Sequence, residues 1–147
     1  FAATAQRDFK YMIGYSSVSH MGLVLMGLAT MNVIGVNGAV LQMFAHGVMT
    51  ALFFAMVGSV YDQAHTRDMR LFGGMVNKMP LFVFFFAVAG LASLGLPGLA
   101  GFVAEFNIFG GTFRTYPWAG ALGIFAAMMT AGPFIVLSAF DSATSRT

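Results

Sequence analysis

Apolar residues run along this chain in four blocks, each bounded by polar residues or turn formers. The first covers about 12–31 and follows Arg7, Asp8 and Lys10. The second covers about 38–60, after a turn in which Asn32 and Asn37 flank Gly35. A polar connector over 61–78 holds Asp62, His65, Arg67, Asp68, Arg70 and the pair Gly73-Gly74. The third block spans about 80–113, and Arg114, Thr115 and Tyr116 form the next turn. The fourth spans about 117–140 and gives way to a polar tail. None of the blocks alternates polar and apolar residues as a barrel strand would. Each is long enough for a helix that crosses a bilayer, which needs about 20 residues. The predicted fold is an all-α membrane protein of four transmembrane helices, the third long and broken, forming a single piece of a larger transmembrane domain over 1–147.

The third block is too long for one straight crossing. Pro97 stands at its middle, within Gly95-Leu96-Pro97-Gly98. Proline removes a backbone donor and clashes with the preceding turn, so the expectation is one helix broken near Pro97. A reversal there would leave two segments too short to span, with a pair of re-entrant halves as the alternative. Four spans put both ends and the connector on one side. That side carries Arg7, Lys10, Arg67, Arg70, Lys78 and Arg146, against Arg114 alone on the other. The positive-inside rule then turns both ends to the cytoplasm. Tyr116 and Trp118 beside Pro117 suit interfacial anchoring at the opposite face.

Composition makes hydrocarbon the solvent. Apolar residues make up 59% of the chain and charged residues 8%, against roughly 25% charged in an ordinary soluble domain. In lipid every backbone group must pair internally, which again favours helices. A net charge of +2 gives no basic surface for nucleic acid. The absence of cysteine removes disulfides and thiolate metal sites. The opening residues lack the form of a signal peptide and do not begin with Met, so the chain reads as a piece of a longer protein.

Polar residues inside the apolar blocks are the candidates for chemistry. Glu105 lies on the third block, where a charged side chain at the bilayer centre costs about 2.5–3.5 kcal/mol on insertion scales. Such a residue normally turns inward towards a partner and suits a proton relay; the plainer reading is a structural ion pair. Gly98, Gly101 and Glu105 are spaced three and four apart, which would put small residues on the carboxyl's helix face. Gln42, His46 and Thr50 form a polar stripe on the second block, and Ser16 and His20 are four apart on the first. Histidine titrates nearest neutrality, so two histidines on consecutive helices fit proton transfer as well as core packing. No carboxylate or thiolate joins them at ligand spacing, so no metal site is expected. Lys10 at the start of the first block suits an interfacial anchor or a surface proton donor. The many Met and Phe residues read as packing or lipid-facing residues.

Several stretches are familiar as a set. They are Ala5-Gln6-Arg7-Asp8-Phe9-Lys10 with Tyr15-Ser16-Ser17-Val18-Ser19-His20-Met21-Gly22, then Leu41-Gln42-Met43-Phe44-Ala45-His46-Gly47. His65-Thr66-Arg67-Asp68-Met69-Arg70 with Gly73-Gly74 follows, and Leu94-Gly95-Leu96-Pro97-Gly98 with Gly101-Phe102-Val103-Ala104-Glu105-Phe106 completes the order. Together they resemble the proton-pumping, antiporter-like membrane subunits of respiratory complex I, the NADH–quinone oxidoreductase. Among those, subunit M, chain 4 in mitochondria, is the best match, over about 1–132.

The resemblance implies a non-redox subunit of a proton-translocating enzyme, embedded in a bacterial inner membrane beside other complex I membrane subunits. It implies no cofactor bound by this chain, with NADH and quinone used elsewhere in the complex. It also implies a broken helix late in the chain, a relay Glu at 105, and central-axis histidines at His20 and His46. The family's earlier half, with its own relay residues, has no counterpart here, so this piece would not hold a complete channel. Beyond Gly132 the match fades, and Pro133 and the tail 141–147 depart from the pattern. A subunit of a multisubunit cation/proton antiporter, which shares the fold, and a structural membrane scaffold stand as alternative functions.

Overall fold

The structure, a computed structural model, describes residues 6, 8–65 and 79–128. Within them the chain forms five helices and no strand: α1 (Phe9–Ala29), α2 (Val33–Ala64), α3 (Pro80–Ser93), α4 (Ala100–Thr115) and α5 (Pro117–Met128). Two stretches, Lys10–Ala29 and Val33–Asp62, are long and apolar enough to cross a membrane. The shorter α3 and α5 are apolar too.

Local chemistry sets the helix ends. Asp8 caps α1, its side chain accepting from the Lys10 N–H at 2.8 Å. Asn32 caps α2 by accepting from the Gly35 N–H at 2.7 Å. This cap starts α2 at Val33, ahead of the turn expected around Gly35, so the connection between α1 and α2 is only three residues long. Asn32 does more than cap. Its amide donates to the Gly111 carbonyl at 2.8 Å and to the Thr115 hydroxyl at 2.9 Å, tying the hairpin to the end of α4. At its other end α2 runs past the expected limit to Ala64, where His65 closes it in the left-handed region. Pro80 and Pro117 each open a helix, where proline's missing N–H costs nothing.

The break expected near Pro97 occupies 94–99. Gly95, at φ +61, ends α3 in the left-handed conformation that commonly closes helices. Pro97 then lies in the turn that follows, where the Leu99 N–H donates to the Leu96 carbonyl at 3.2 Å. The stop is therefore a glycine cap followed by a proline turn.

α2 is the long strut on which the rest lies. α3 packs beside its second half, with Ala89 and Phe86 against Phe53 and Val57. α4 packs beside its first half at very close range. A Cβ added at Gly38 would lie 2.7 Å from the Ile108 backbone nitrogen, and one at Gly111 would lie 2.6 Å from the Gly35 Cα. Small residues that admit a neighbouring backbone are the usual currency of helix association in lipid. α3 and α4 thus follow one another end to end along α2, with the break level with the middle of that helix. α5 returns against α1, where Gly123 meets Met26.

Of the connector expected over 61–78, residues 61–64 instead form the last turn of α2 and His65 caps it; 66–78 lie outside the described residues. Arg7, Arg67, Arg70, Lys78 and Arg146, the fourth helix beyond Met128, and the kink expected at Pro133 lie outside the described residues.

Candidate functional site

The polar residues of the three inner helices converge beside the break. His20 comes from the middle of α1, Gln42 and His46 from α2, and Glu105 from α4, in its second turn. His20, Gln42 and His46 are buried, each under one-tenth exposed. The Glu105 carboxyl lies 3.8 Å from His20 Nδ1, and its side chain is 17% exposed. Gln42 Nε2 lies 3.4 Å from the same His20 nitrogen. The two imidazole rings are 5.2 Å apart, tilted by 41°.

Beyond His46 the chain of polar atoms continues in hydroxyls. Ser17 Oγ is 2.6 Å from His46 Nε2, and Thr50 Oγ1 is 3.1 Å from the same atom. The order along the site is Glu105, His20 with Gln42, His46, then Ser17 and Thr50. His20 Nε2, His46 Nδ1 and Gln42 Oε1 are buried without a hydrogen-bond partner among the described residues. Buried polar atoms are nearly always paired. Each of these three calls for a water or for a polar group from another part of the protein.

Of the residues singled out in the sequence, Glu105, His20, His46, Gln42 and Thr50 meet in this cluster. Ser16 does not: Ser17 is the residue that touches His46. The four-residue spacing favoured Ser16, but His46 lies beside the turn of α1 that Ser17 occupies. Ser17 is three residues from His20, a spacing that shares a helix face equally well.

Lys10 is exposed in the first turn of α1. It is seven residues from Ser17, about 10 Å along the helix axis at 1.5 Å per residue. Gly98 does not share a helix face with Glu105, because α4 begins only at Ala100 and Gly98 stands in the turn at φ +103. Gly101 faces the Ala92 carbonyl, which a Cβ there would approach to 3.2 Å. The glycine beside the carboxyl is Gly95, where a Cβ would stand 2.7 Å from Glu105 Oε2. Among the described residues no group of three or more His, Cys, Asp or Glu side chains could hold a metal ion.

A carboxyl and two imidazoles stand in sequence, and two hydroxyls meet the second imidazole at one nitrogen. Comparison with known proteins matches residues 1–130 to the family described as NADH:quinone oxidoreductase/Mrp antiporter, transmembrane. The chain belongs to this family. Among its relatives, NADH-quinone oxidoreductase subunit M of Rhodobacter capsulatus is 42% identical over 129 residues, covering 88% of this chain and 25% of that protein. NAD(P)H-quinone oxidoreductase chain 4 2 of a Synechococcus species is 48% identical, over 76% of this chain and 21% of its own. The F(420)H(2) dehydrogenase subunit M of Methanosarcina mazei is 42% identical, over 88% of this chain and 26% of its own.

The fold matches a chain of respiratory complex I from Thermus thermophilus with bound NADH, at a TM-score of 0.87 and 30% identity. That match covers 92% of this chain and 29% of the other. The chain therefore spans about a quarter of the length of the curated relatives it matches.

Proposed function

We propose that this chain is the later part of a proton-translocating membrane subunit, of the subunit M type, in an NADH–quinone oxidoreductase. The observation that carries the reading is the Glu105–His20–His46 series, in which the carboxyl beside a helix break meets two histidines on helices of membrane-spanning length. Interrupted helices with ionisable residues near the bilayer midplane recur in ion-coupled transport.

In this reading α1 and α2 cross the bilayer once each. α3 and α4 together make one interrupted crossing, because their lengths of 14 and 16 residues give about 21 and 24 Å, each short of the roughly 30 Å hydrocarbon core. The fourth crossing starts at Pro117. Both ends face the cytoplasm of a bacterial inner membrane, and 1–147 is one piece of a single antiporter-like domain. The neighbours are other membrane subunits of the complex. NADH and quinone react in other subunits, and this chain binds no redox cofactor.

The chemistry follows from the geometry. A protonated Glu105 faces His20 Nδ1, and the 3.8 Å gap closes to hydrogen-bonding range, about 3 Å, by a small rotation of the glutamate side chain. Transfer leaves a carboxylate beside an imidazolium, an ion pair whose mutual attraction offsets part of the cost of holding two charges away from water. Release of the Nε2 proton towards His46 dissolves that pair and leaves His20 protonated on Nδ1; the ring must turn or change tautomer before it accepts the next proton from Glu105. Gln42 orients the His20 ring, while Ser17 and Thr50 orient His46. Gly95 and Gly101, which admit the Glu105 carboxyl and the Ala92 carbonyl, shape the approach of α4 to the break at Pro97, while Gly98 serves only the turn. Lys10 sits at the surface end as an anchor in reach of water.

The test is NADH-driven acidification of inverted vesicles carrying the full-length protein with His20→Gln or His46→Gln. Loss of acidification with an assembled complex and intact NADH oxidation by an artificial acceptor supports the relay. Unchanged acidification with lower complex stability supports a structural scaffold instead. The family description also covers Mrp antiporters; a sodium-dependent, NADH-independent pH change would favour that alternative.

A further inference from the structure

The polar series ends abruptly. One turn beyond Ser17 on α1 and beyond Thr50 on α2, the same helix faces carry only apolar side chains. Ile13 precedes Ser17 by four residues, while Phe53 and Val57 follow Thr50 by three and seven. With Ala89 of α3 these form one buried cluster, with exposures of 5%, 2%, 7% and 1% in that order. Met49, Leu52 and Phe86 pack around it, and the Phe53 and Phe86 rings meet edge to face at 5.5 Å. The layer lies between the His46 hydroxyls and the helix ends that carry Lys10 and His65.

We propose that this layer is a seal, with Phe53 as its central plug, that closes the proton path towards the side where α1 begins and α2 ends. The inference rests on the relay reading above. Three helices contribute to the layer, and it covers about one helical turn of α2, roughly 6 Å. Protons cross hydrocarbon only along polar groups or water, and a tightly packed apolar layer admits neither. The cluster therefore makes the Ser17–Thr50 end of the relay a closed end. Exchange with that side requires Phe53 to move or another route to open. Phe53 also packs on α3, so displacement of α3 along α2 would act directly on the plug.

The experiment uses the full-length protein in its assembled complex, in inverted membrane vesicles. Phe53→Ala opens the layer, Phe53→Leu keeps most of its bulk, and Val57→Thr adds a hydroxyl at nearly constant volume. The readouts are passive proton permeability after an acid pulse and protons pumped per electron pair. Phe53→Ala and Val57→Thr are expected to raise permeability several-fold and lower the proton-to-electron ratio while quinone reduction continues. Phe53→Leu should restore both towards wild type. If Phe53→Ala fails to assemble, Val57→Thr decides alone. Wild-type permeability and stoichiometry in the assembled variants would overturn the seal. Adding Glu105→Gln to Phe53→Ala separates the two ideas: a leak that vanishes runs through the relay, whereas a leak that persists keeps the seal and removes Glu105 from the path.

Discussion

Gly95 offers a sharp perturbation of the site without touching any ionisable group. Its φ of +61 places it in the left-handed region, and an added Cβ would stand 2.7 Å from Glu105 Oε2 and 3.2 Å from Cδ. Alanine there carries two consequences. The backbone conformation costs a non-glycine residue about 1–2 kcal/mol. The carboxyl must also retreat by about 0.7 Å to restore an ordinary 3.4 Å contact. The nearest neighbour is the end of a flexible side chain, so the carboxyl moves and the helices stay. Gly98 is a matched control: its φ of +103 makes alanine at least as strained, yet nothing lies within 4 Å of an added Cβ.

Both variants should therefore lose similar stability, measured as the melting temperature of the assembled complex. Only Gly95→Ala displaces a group that already stands 3.8 Å from His20. Vesicle acidification, normalised to assembled complex, should fall several-fold in Gly95→Ala and stay near wild type in Gly98→Ala. Equal acidification in the two variants would refute the claim that the Glu105–His20 approach governs proton transfer.

Other variants separate contacts that sequence alone leaves ambiguous. Ser17→Ala removes the 2.6 Å partner of His46 but leaves Thr50 on the same nitrogen, so it should cost about 0.5–1.5 kcal/mol of stability together with pumping, while Ser16→Ala should change neither; thermal melts and acidification check both. Asn32→Ala removes the α2 cap and two bonds to α4, a loss of about 1–2 kcal/mol for the cap alone. Asn32→Asp keeps the cap but not the donor, so its melting temperature should fall between those of wild type and Asn32→Ala. Gly38→Val drives a branched side chain into the Ile108 backbone, and native gels should show the complex failing to assemble.

Much of this arrangement was legible in the sequence because lipid imposes strong constraints. Block lengths predicted the inner helices, and ionisable residues in apolar blocks marked Glu105, His20 and His46 as inward-facing. Pro97 marked the break, but the stop comes from Gly95: a glycine's conformation depends on its neighbours, and proline is the louder signal. The α1–α2 turn was displaced because Asn32, Gly35 and Asn37 all read as turn formers. Only the side-chain cap on the Gly35 N–H and the close approach of α4 make Gly35 and Gly38 helical. Ser16 and Ser17 are adjacent hydroxyls on a helix whose rotation the sequence does not fix to within one residue. The Ile13–Phe53–Val57–Ala89 layer carries no sequence signal beyond ordinary hydrophobicity, since its meaning comes from where the polar series ends.

The most direct test of proton relay through this site replaces Glu105 with glutamine in the full-length protein within its native complex. NADH-driven acidification of inverted vesicles is then measured beside complex assembly and NADH oxidation by an artificial acceptor. A relay through Glu105 predicts lost acidification with assembly and acceptor activity intact. Undiminished acidification would contradict it and leave Glu105 as a packing residue beside the helix break.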